Sequence, residues 1–360
     1  MAILIAGGLG YIGSNVSKLL LENEEDVIIL DNLSNSHLGK AKLLKTVTNG
    51  KTIKLYSKDL LNEKDLVQIF KENQIESIIY TAESQEDDSI GYIKQNLLML
   101  TNVLNIMETF NCKRLIFTSR DIYSESGSLK ESSSTIDILN SKDIKSISSK
   151  LQEKILDQFF KKNKDRNYSI SILRLFNVSG TDSSGMLGDI SLKNNDMFTN
   201  LMRYNLNGEK IKLYSKYLTF DETLVRDYIH IKDVANAYLK TLEFIRKSTN
   251  YFDTFNICSG KPTSDSQIIR MYEIIIGTKI NYEILNKTIE NISDKVGDKT
   301  KTNNILKFDN IHTLDSIIKN NFEFCKNYKQ ILKDFKESEK LIQKQNSKKK
   351  ESVKDGEKEE

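Results

Sequence analysis

Near its start the chain reads Ala2-Ile-Leu-Ile-Ala-Gly7-Gly8-Leu9-Gly10-Tyr11-Ile12-Gly13-Ser14, an apolar run that breaks into glycines and resumes as an amphipathic stretch through Leu21. Such a short apolar run ending in a turn has the length of a buried strand, and apolar residues at helical spacing beyond it predict a helix. Glycine lets the backbone turn tightly and approach a ligand closely, and the N–H groups left open at the start of a helix then face an anion. The GxGxxG pattern at Gly8, Gly10 and Gly13 therefore stands where a pyrophosphate-binding turn must stand. Asp31 closes the second apolar run, Val27-Ile-Ile-Leu30, 18 residues after Gly13, close to the roughly 20 expected for the acid that takes the adenosine ribose hydroxyls. A carboxylate there repels a 2′-phosphate and favours NAD over NADP. Two other readings stay open at this point: a packing turn whose loop Asp31 caps, and the glycine loop of a methyltransferase.

Working outward, short β-branched runs (Ile53-Lys-Leu55, Ile78-Ile-Tyr80, Leu115-Ile-Phe117, Ile170-Ser-Ile-Leu173) alternate with helical patterns at Leu66 to Phe70, Asn96 to Met107 and Leu151 to Phe160. Strand and helix in alternation predict an α/β fold, a doubly wound parallel Rossmann sheet, joined here to a smaller mixed α/β substrate domain. Residues 1–176 with about 229–248 are assigned to the dinucleotide domain, and 177–228 with 249–336 to the substrate domain, including a helix near Met197 to Asn205 and strands near Lys210 to Tyr214 and Phe255 to Cys258. Residues 337–360 are nearly all Lys, Glu, Ser, Asn and Gln. Such a composition buries too little apolar surface to offset the entropy of ordering, so a disordered charged tail is expected.

Composition narrows the function. Lys and Arg number 53 against 50 Asp and Glu, a net charge of +3, too balanced to call for a nucleic-acid partner. No stretch approaches the roughly 20 apolar residues of a membrane helix, and the apolar start is too short for a signal peptide. Cys112, Cys258 and Cys325 are odd in number and widely spaced, giving neither a disulfide framework nor metal-ligand spacing, so a reducing cytoplasm is expected and no metal.

Beyond the glycine turn, Asp31-Asn-Leu-Ser-Asn-Ser36 and Val225-Arg-Asp-Tyr-Ile-His-Ile-Lys-Asp233 resemble the UDP-glucose/UDP-galactose 4-epimerases, extended short-chain dehydrogenase/reductases. Asp59-Leu60, Asn96, Leu173-Arg-Leu-Phe-Asn177, Asn200-Leu201-Met202 and Phe255-Asn-Ile257 extend the likeness over about residues 1 to 310. The second long motif has no use in a methyltransferase. The resemblance implies NAD contacts from Gly7, Gly10, Tyr11, Ile12, Asp31, Asn32, Ser36, Asp59, Leu60, Thr81, Ala82 and Asn96, and UDP-sugar contacts from Asn177, Asn200, Leu201 and Arg226. Arg226 suits a diphosphate because a guanidinium fork donates in pairs; its structural role would be a pair with Asp227 or Asp233. A homodimer is a further expectation of the resemblance.

In that family a tyrosine phenolate, aided by a lysine four residues on, removes the proton of the sugar 4-OH while NAD takes hydride from C4. The corresponding stretch here is Ile144-Lys-Ser-Ile-Ser-Ser-Lys-Leu-Gln-Glu-Lys-Ile-Leu156, without a tyrosine. Aligning on Lys150-Leu151 gives Ser146 and Lys150 the two positions; aligning without a gap on Glu153 gives them to Lys145 and Ser149. Ser119, in Thr118-Ser119-Arg120 and ahead of Tyr123, is the hydroxyl expected to meet the 4-OH, and Glu83 brings a carboxylate near the cofactor. The Arg-x-Gly-Asp motif expected around Lys287 to Asn291 has Thr288 and Asn291 in place of its arginine and aspartate. Two functions follow: weak or absent 4-epimerisation, or a non-catalytic NAD and UDP-sugar binding protein acting through a partner.

Overall fold

The first strand, Ala2–Ala6, is buried along its whole length, with Ile3 and Ile5 directed to one core and Ala2, Leu4 and Ala6 to another. Both faces of its sheet must therefore be covered, as the continuous apolar strands of parallel sheets require. A computed structural model describes residues 1–120, 128–129, 143–192, 196–286 and 294–356. In the amino-terminal half the elements are β1 (Ala2–Ala6), α1 (Tyr11–Glu22), β2 (Val27–Leu30), α2 (Gly39–Val47), β3 (Lys54–Tyr56), α3 (Glu63–Glu72), β4 (Ile75–Tyr80), α4 (Ser89–Thr109), β5 (Arg114–Arg120), β6 (Ser128–Leu129), α5 (Ile144–Lys162) and β7 (Ser169–Leu175). They continue as β8 (Asn177–Ser179), α6 (Met197–Asn207), β9 (Ile211–Ser215), β10 (Val225–His230), α7 (Ile231–Lys247), β11 (Tyr251–Ile257), β12 (Pro262–Ser264), α8 (Asp265–Ile276), β13 (Tyr282–Asn286), β14 (Asp294–Gly297), α9 (Thr300–Leu306) and α10 (Leu314–Gly356).

Seven strands form the main sheet in the order β3-β2-β1-β4-β5-β7-β11, every pair parallel. Helices α1 and α7 pack on one face; α3, α4 and α5 cover the other. The chain order reverses between β1 and β4, which opens a crevice at the carboxyl ends of the strands. The second lobe holds a sheet in which β10 pairs with β8, β12 and β14, a two-stranded β9–β13 pair, and a core of Phe198, Leu201, Tyr228, Ile268, Ile269 and Ile318 between α6, α8 and α10.

Two expectations change. The strand at Phe255–Ile257 belongs to the main sheet, where β11 pairs in parallel with β7 from Tyr251↔Ser169 to Ile257↔Leu175, so the boundary drawn at 249 moves past this strand. The reason is that α7 packs beside α1 on the sheet and returns the chain to its edge. The tail assigned to 337–360 is helical as far as Gly356. Lys, Glu and Gln are good helix formers, and propagation from a docked helix avoids the nucleation cost that would defeat the segment alone. Tyr123, the Lys287 to Asn291 stretch and the last four residues lie outside the described residues.

Candidate active site

Six of the ten helices among the described residues start on a side chain that accepts from the first-turn amides: Asn62, Asp88, Asp143, Asp196, His230 and Ser264 cap α3, α4, α5, α6, α7 and α8. Helix α1 differs. Its N-cap is Gly10, with no side-chain cap, and the N–H groups of Tyr11, Ile12 and Gly13 reach no acceptor among the described residues. Gly7 has φ +78°, and a Cβ on Gly13 would collide with Gly7 O and stand 2.8 Å from Gly8 Cα. The turn is thus closed on itself and open only toward the crevice, the arrangement an anion needs.

A cleft of about 520 Å³ lies there, walled by the segments that follow β1, β2, β3, β4 and β7, by the end of β5 from Phe117 to Arg120 and, from the second lobe, by Asp189, Ile190, Ser191 and Asp196. Gly7, Gly10, Tyr11, Ile12, Asp31, Asn32, Asp59, Leu60, Thr81, Ala82, Asn96, Ser119 and Asn177 all stand on its wall. Asp31 accepts from Leu9 N at 2.9 Å through Oδ2, and from Leu33 N at 2.9 Å and Ser36 Oγ at 2.7 Å through Oδ1. It caps its loop while facing the cleft, and Ser36 stands behind it rather than on the wall. The Tyr11 hydroxyl donates to Gly180 O at 2.6 Å, tying α1 to the second lobe.

At the far end, helix α5 decides which residues face inward. Lys145, Ser149 and Gln152, one face of the helix, stand on the wall, and Gln152 Nε2 donates to Asn96 O at 3.1 Å. Ser146 does not: its Oγ donates to Asp143 Oδ2 at 2.7 Å in the capping turn. Lys150 is 4% exposed and also absent from the wall. Ser119 Oγ donates to Glu153 Oε1 at 2.7 Å, and Glu153 is held by Arg174 through bonds of 2.9 and 2.6 Å, a fully buried pair. Glu83 faces the same end, gripped by Arg120 Nε at 3.1 Å and Nη2 at 2.6 and 2.9 Å, and accepting the Tyr92 hydroxyl. Burial raises the Glu83 carboxyl, but the Arg120 charge and the Tyr92 and Arg120 hydrogen bonds outweigh it and hold it below its ordinary value. Burial and the Glu83 charge push the Tyr92 phenol far upward, so it stays protonated.

The three remaining substrate positions lie elsewhere. Leu201 is in the second-lobe core, Asn200 Oδ1 accepts from Arg203 Nη1 at 3.3 Å, and Arg226 Nη1 donates to Val225 O at 2.8 Å. Neither proposed partner of Arg226 is its own. Asp227 accepts from Ser259, Gly260 and Gly297, while Asp233 accepts from Ile311 and His312. The carboxylate that feels Arg226 is Asp265, raised by burial to about 7 despite that cation. His230 caps α7, accepting from Lys232 N through Nδ1 and bonding Asn320 through Nε2 at 2.8 Å. Sequence reasoning missed the Arg120–Glu83–Tyr92 cluster and Lys40, which also walls the cleft; only the arginine within Leu173-Arg-Leu-Phe-Asn177 hinted at the buried Glu153 pair.

Strand order, an uncapped glycine turn and an acid closing β2 define a doubly wound dinucleotide-binding protein with a second lobe across its crevice. Residues 3–258 match the NAD dependent epimerase/dehydratase family. A UDP-glucose 4-epimerase of Bacillus subtilis is 31% identical over 314 residues, 84% of this chain and 90% of that protein; one of Yersinia enterocolitica is 32% identical over 305 residues, 82% and 88%. The crystal structure of UDP-glucose 4-epimerase from Bifidobacterium longum in complex with NAD+ and UDP superposes with a TM-score of 0.81 at 26% identity, covering 90% of this chain and 98% of that one. The chain belongs to the NAD dependent epimerase/dehydratase family, and within it to the UDP-glucose 4-epimerases. NAD is the cofactor of this family, and the residues present fit it: free amides at α1, a turn with no room for side chains, and Asp31 with a lone pair to spare on Oδ2.

Proposed function

We propose that the chain binds NAD and a UDP-hexose as its family does, and that its turnover at sugar C4 is weak or absent. The observation that carries the reading is the face of α5 turned to the cleft, which presents Lys145, Ser149 and Gln152 and no phenol. In this proposal Gly7, Gly10, Tyr11 and Ile12 hold the diphosphate by their amides and shape. Asp31 and Asn32 take the adenosine ribose, Asp59, Leu60, Thr81, Ala82 and Asn96 flank the rest, and Asn177, Asn200, Leu201 and Arg226 belong to the UDP-sugar. Bound there, NAD supplies a hydride acceptor for C4.

What the chain must add is a group that takes the 4-OH proton. Ser149 offers a hydroxyl, a poor base near neutrality. Ser119 already donates to Glu153, and Tyr92, a phenol on the wall, is kept protonated by burial and Glu83. Loss of a positioned general base costs about 10² to 10⁴-fold. A second reading, a binding protein that acts through a partner, draws on the same observation. Cytoplasmic placement suits three buried thiols, and a homodimer through the α4–α5 side suits the exposed Leu98 and Ile90.

The test is to purify the protein, measure co-purified NAD, and follow UDP-galactose conversion to UDP-glucose. We expect NAD to be retained and conversion to be near background. The Lys145→Tyr/Ser149→Lys double variant should raise conversion by about 10-fold or more, and Ser146→Tyr should not. Brisk conversion by the native chain, or rescue by Ser146→Tyr alone, would overturn the reading.

A further inference from the structure

Helix α2 buries three positions in its nine residues, Gly39, Lys40 and Leu44. Two are small or apolar, as a buried face demands. The third is a lysine with 1% of its surface exposed. Lysine is almost never this buried without a partner, because an ammonium removed from water must be compensated. Yet the Lys40 side chain makes no hydrogen bond or ion pair among the described residues, and it stands on the wall of the cleft. The charges that act on it are the carboxylates of Asp189 and Asp31. Asp31 already accepts from Leu9, Leu33 and Ser36, and Asp189 accepts from the Ser191 amide at 2.9 Å and its hydroxyl at 2.7 Å.

We propose that Lys40 is a ligand for the dinucleotide's diphosphate, its ammonium completing the anion site that the open amides of Tyr11, Ile12 and Gly13 begin. This rests on the functional reading above. Two independent features meet there: a helix N-terminus without a cap and a buried, unpartnered cation on the same wall. The need for a cation is also local. Asp189 and Asp196 line the second-lobe side of the cleft beside Tyr11 and would repel a diphosphate lying over α1 unless a positive charge intervened. Burial holds the Lys40 ammonium down to about 8, with Asp189 and Asp31 acting the other way, so the side chain keeps its charge near neutrality and a bound anion would strengthen its hold on the proton.

Dissociation constants for NAD, NADP and adenosine should be measured by calorimetry on the native protein stripped of cofactor, on Lys40→Met and on Lys40→Gln. A charge-assisted contact of this kind is worth roughly 10- to 100-fold in affinity. We expect NAD to weaken by that factor in both variants while adenosine, which has no phosphate, changes by less than about twofold. Melting temperatures without ligand, at or above the native value, would show that the variants fold. Equal NAD affinity in all three proteins would overturn the proposal and leave the functional reading intact. Parallel loss of NAD and adenosine would overturn it by making Lys40 a structural residue. A native preference for NADP that vanishes in the variants would assign Lys40 to a 2′-phosphate instead, and a native chain that takes up no NAD would remove the functional reading and this proposal with it.

Discussion

Gly13 shows how little freedom the dinucleotide turn has. A methyl group there would meet Gly7 O, Gly8 Cα at 2.8 Å and Thr81 Oγ1 at 2.9 Å, and the first two are backbone that cannot rotate away. Gly13→Ala is expected to cost about 1–3 kcal/mol of stability and to abolish NAD retention; urea unfolding and the absorbance of the purified protein check the two parts, and native-like behaviour in both would show that the turn is not built for a ligand. The turn was legible in the sequence because its requirement is local: glycine at fixed spacing between an apolar run and a helix. Asp31 was legible for the same reason, and its loop-capping and cleft-facing roles coexist. The partners of Arg226 and Lys40 were not, since a lysine in a lysine-rich chain carries no mark of its burial. The α5 register was also beyond reach: both alignments fit the letters, and only packing turns Lys145 and Ser149 to the cleft while Ser146 serves the capping turn.

The helices differ in what holds them. Helix α10 begins as an ordinary amphipathic element, burying Ile317, Ile318, Phe324, Ile331 and Phe335 against α2, α6 and α8. Phe335 is 3% exposed and stacks on His37 with ring centroids 4.5 Å apart. Phe335→Ala should therefore cost about 3–5 kcal/mol, whereas truncation after residue 337 should lower helix content and leave the melting temperature within about 2 °C; a large loss on truncation would mean that the charged end is docked. The periodic strands and helices of the first half were readable because burial on two faces leaves uninterrupted β-branched runs. The sheet assignment of β11 was not, because a strand's letters do not say which neighbour it pairs with.

Across the whole molecule all three histidines sit where the carboxyl-terminal segment meets the rest of the chain. His37 stacks on Phe335; His312 Nδ1 bonds Asp233 at 2.7 Å; His230 bonds Asn320 and stacks on His312 at 4.5 Å. Burial, with Asn320 and Asp233 opposing it and His312 and Lys232 adding to it, lowers His230 from 6.5 to about 4. The unfolded chain thus takes the proton first. The stability from neutral His230 is present above pH 6.5 and lost as pH falls toward 4, about 3 kcal/mol in all. Asp265, raised from 3.8 to about 7, works the other way: its contribution is present below 3.8 and lost as pH rises through 7. The comparison must therefore be between proteins. His230→Asn should lose less stability than the native chain between pH 7 and 4.5 by urea unfolding, and identical pH slopes would refute the assignment.

The sequence by itself determined the class of fold, the glycine turn between β1 and α1, the acid after β2 and the absence of a Tyr-x-x-x-Lys on α5, because each depends on residue type at short spacing. Tertiary structure alone decided which α5 residues reach the cleft, that Glu83 is paired with Arg120, that the Arg226 charge acts on Asp265 rather than pairing with Asp227 or Asp233, and that Lys40 is buried on the cleft wall. Those are contacts between residues far apart in the chain, set by how helices rotate as they pack, and no local pattern encodes that rotation.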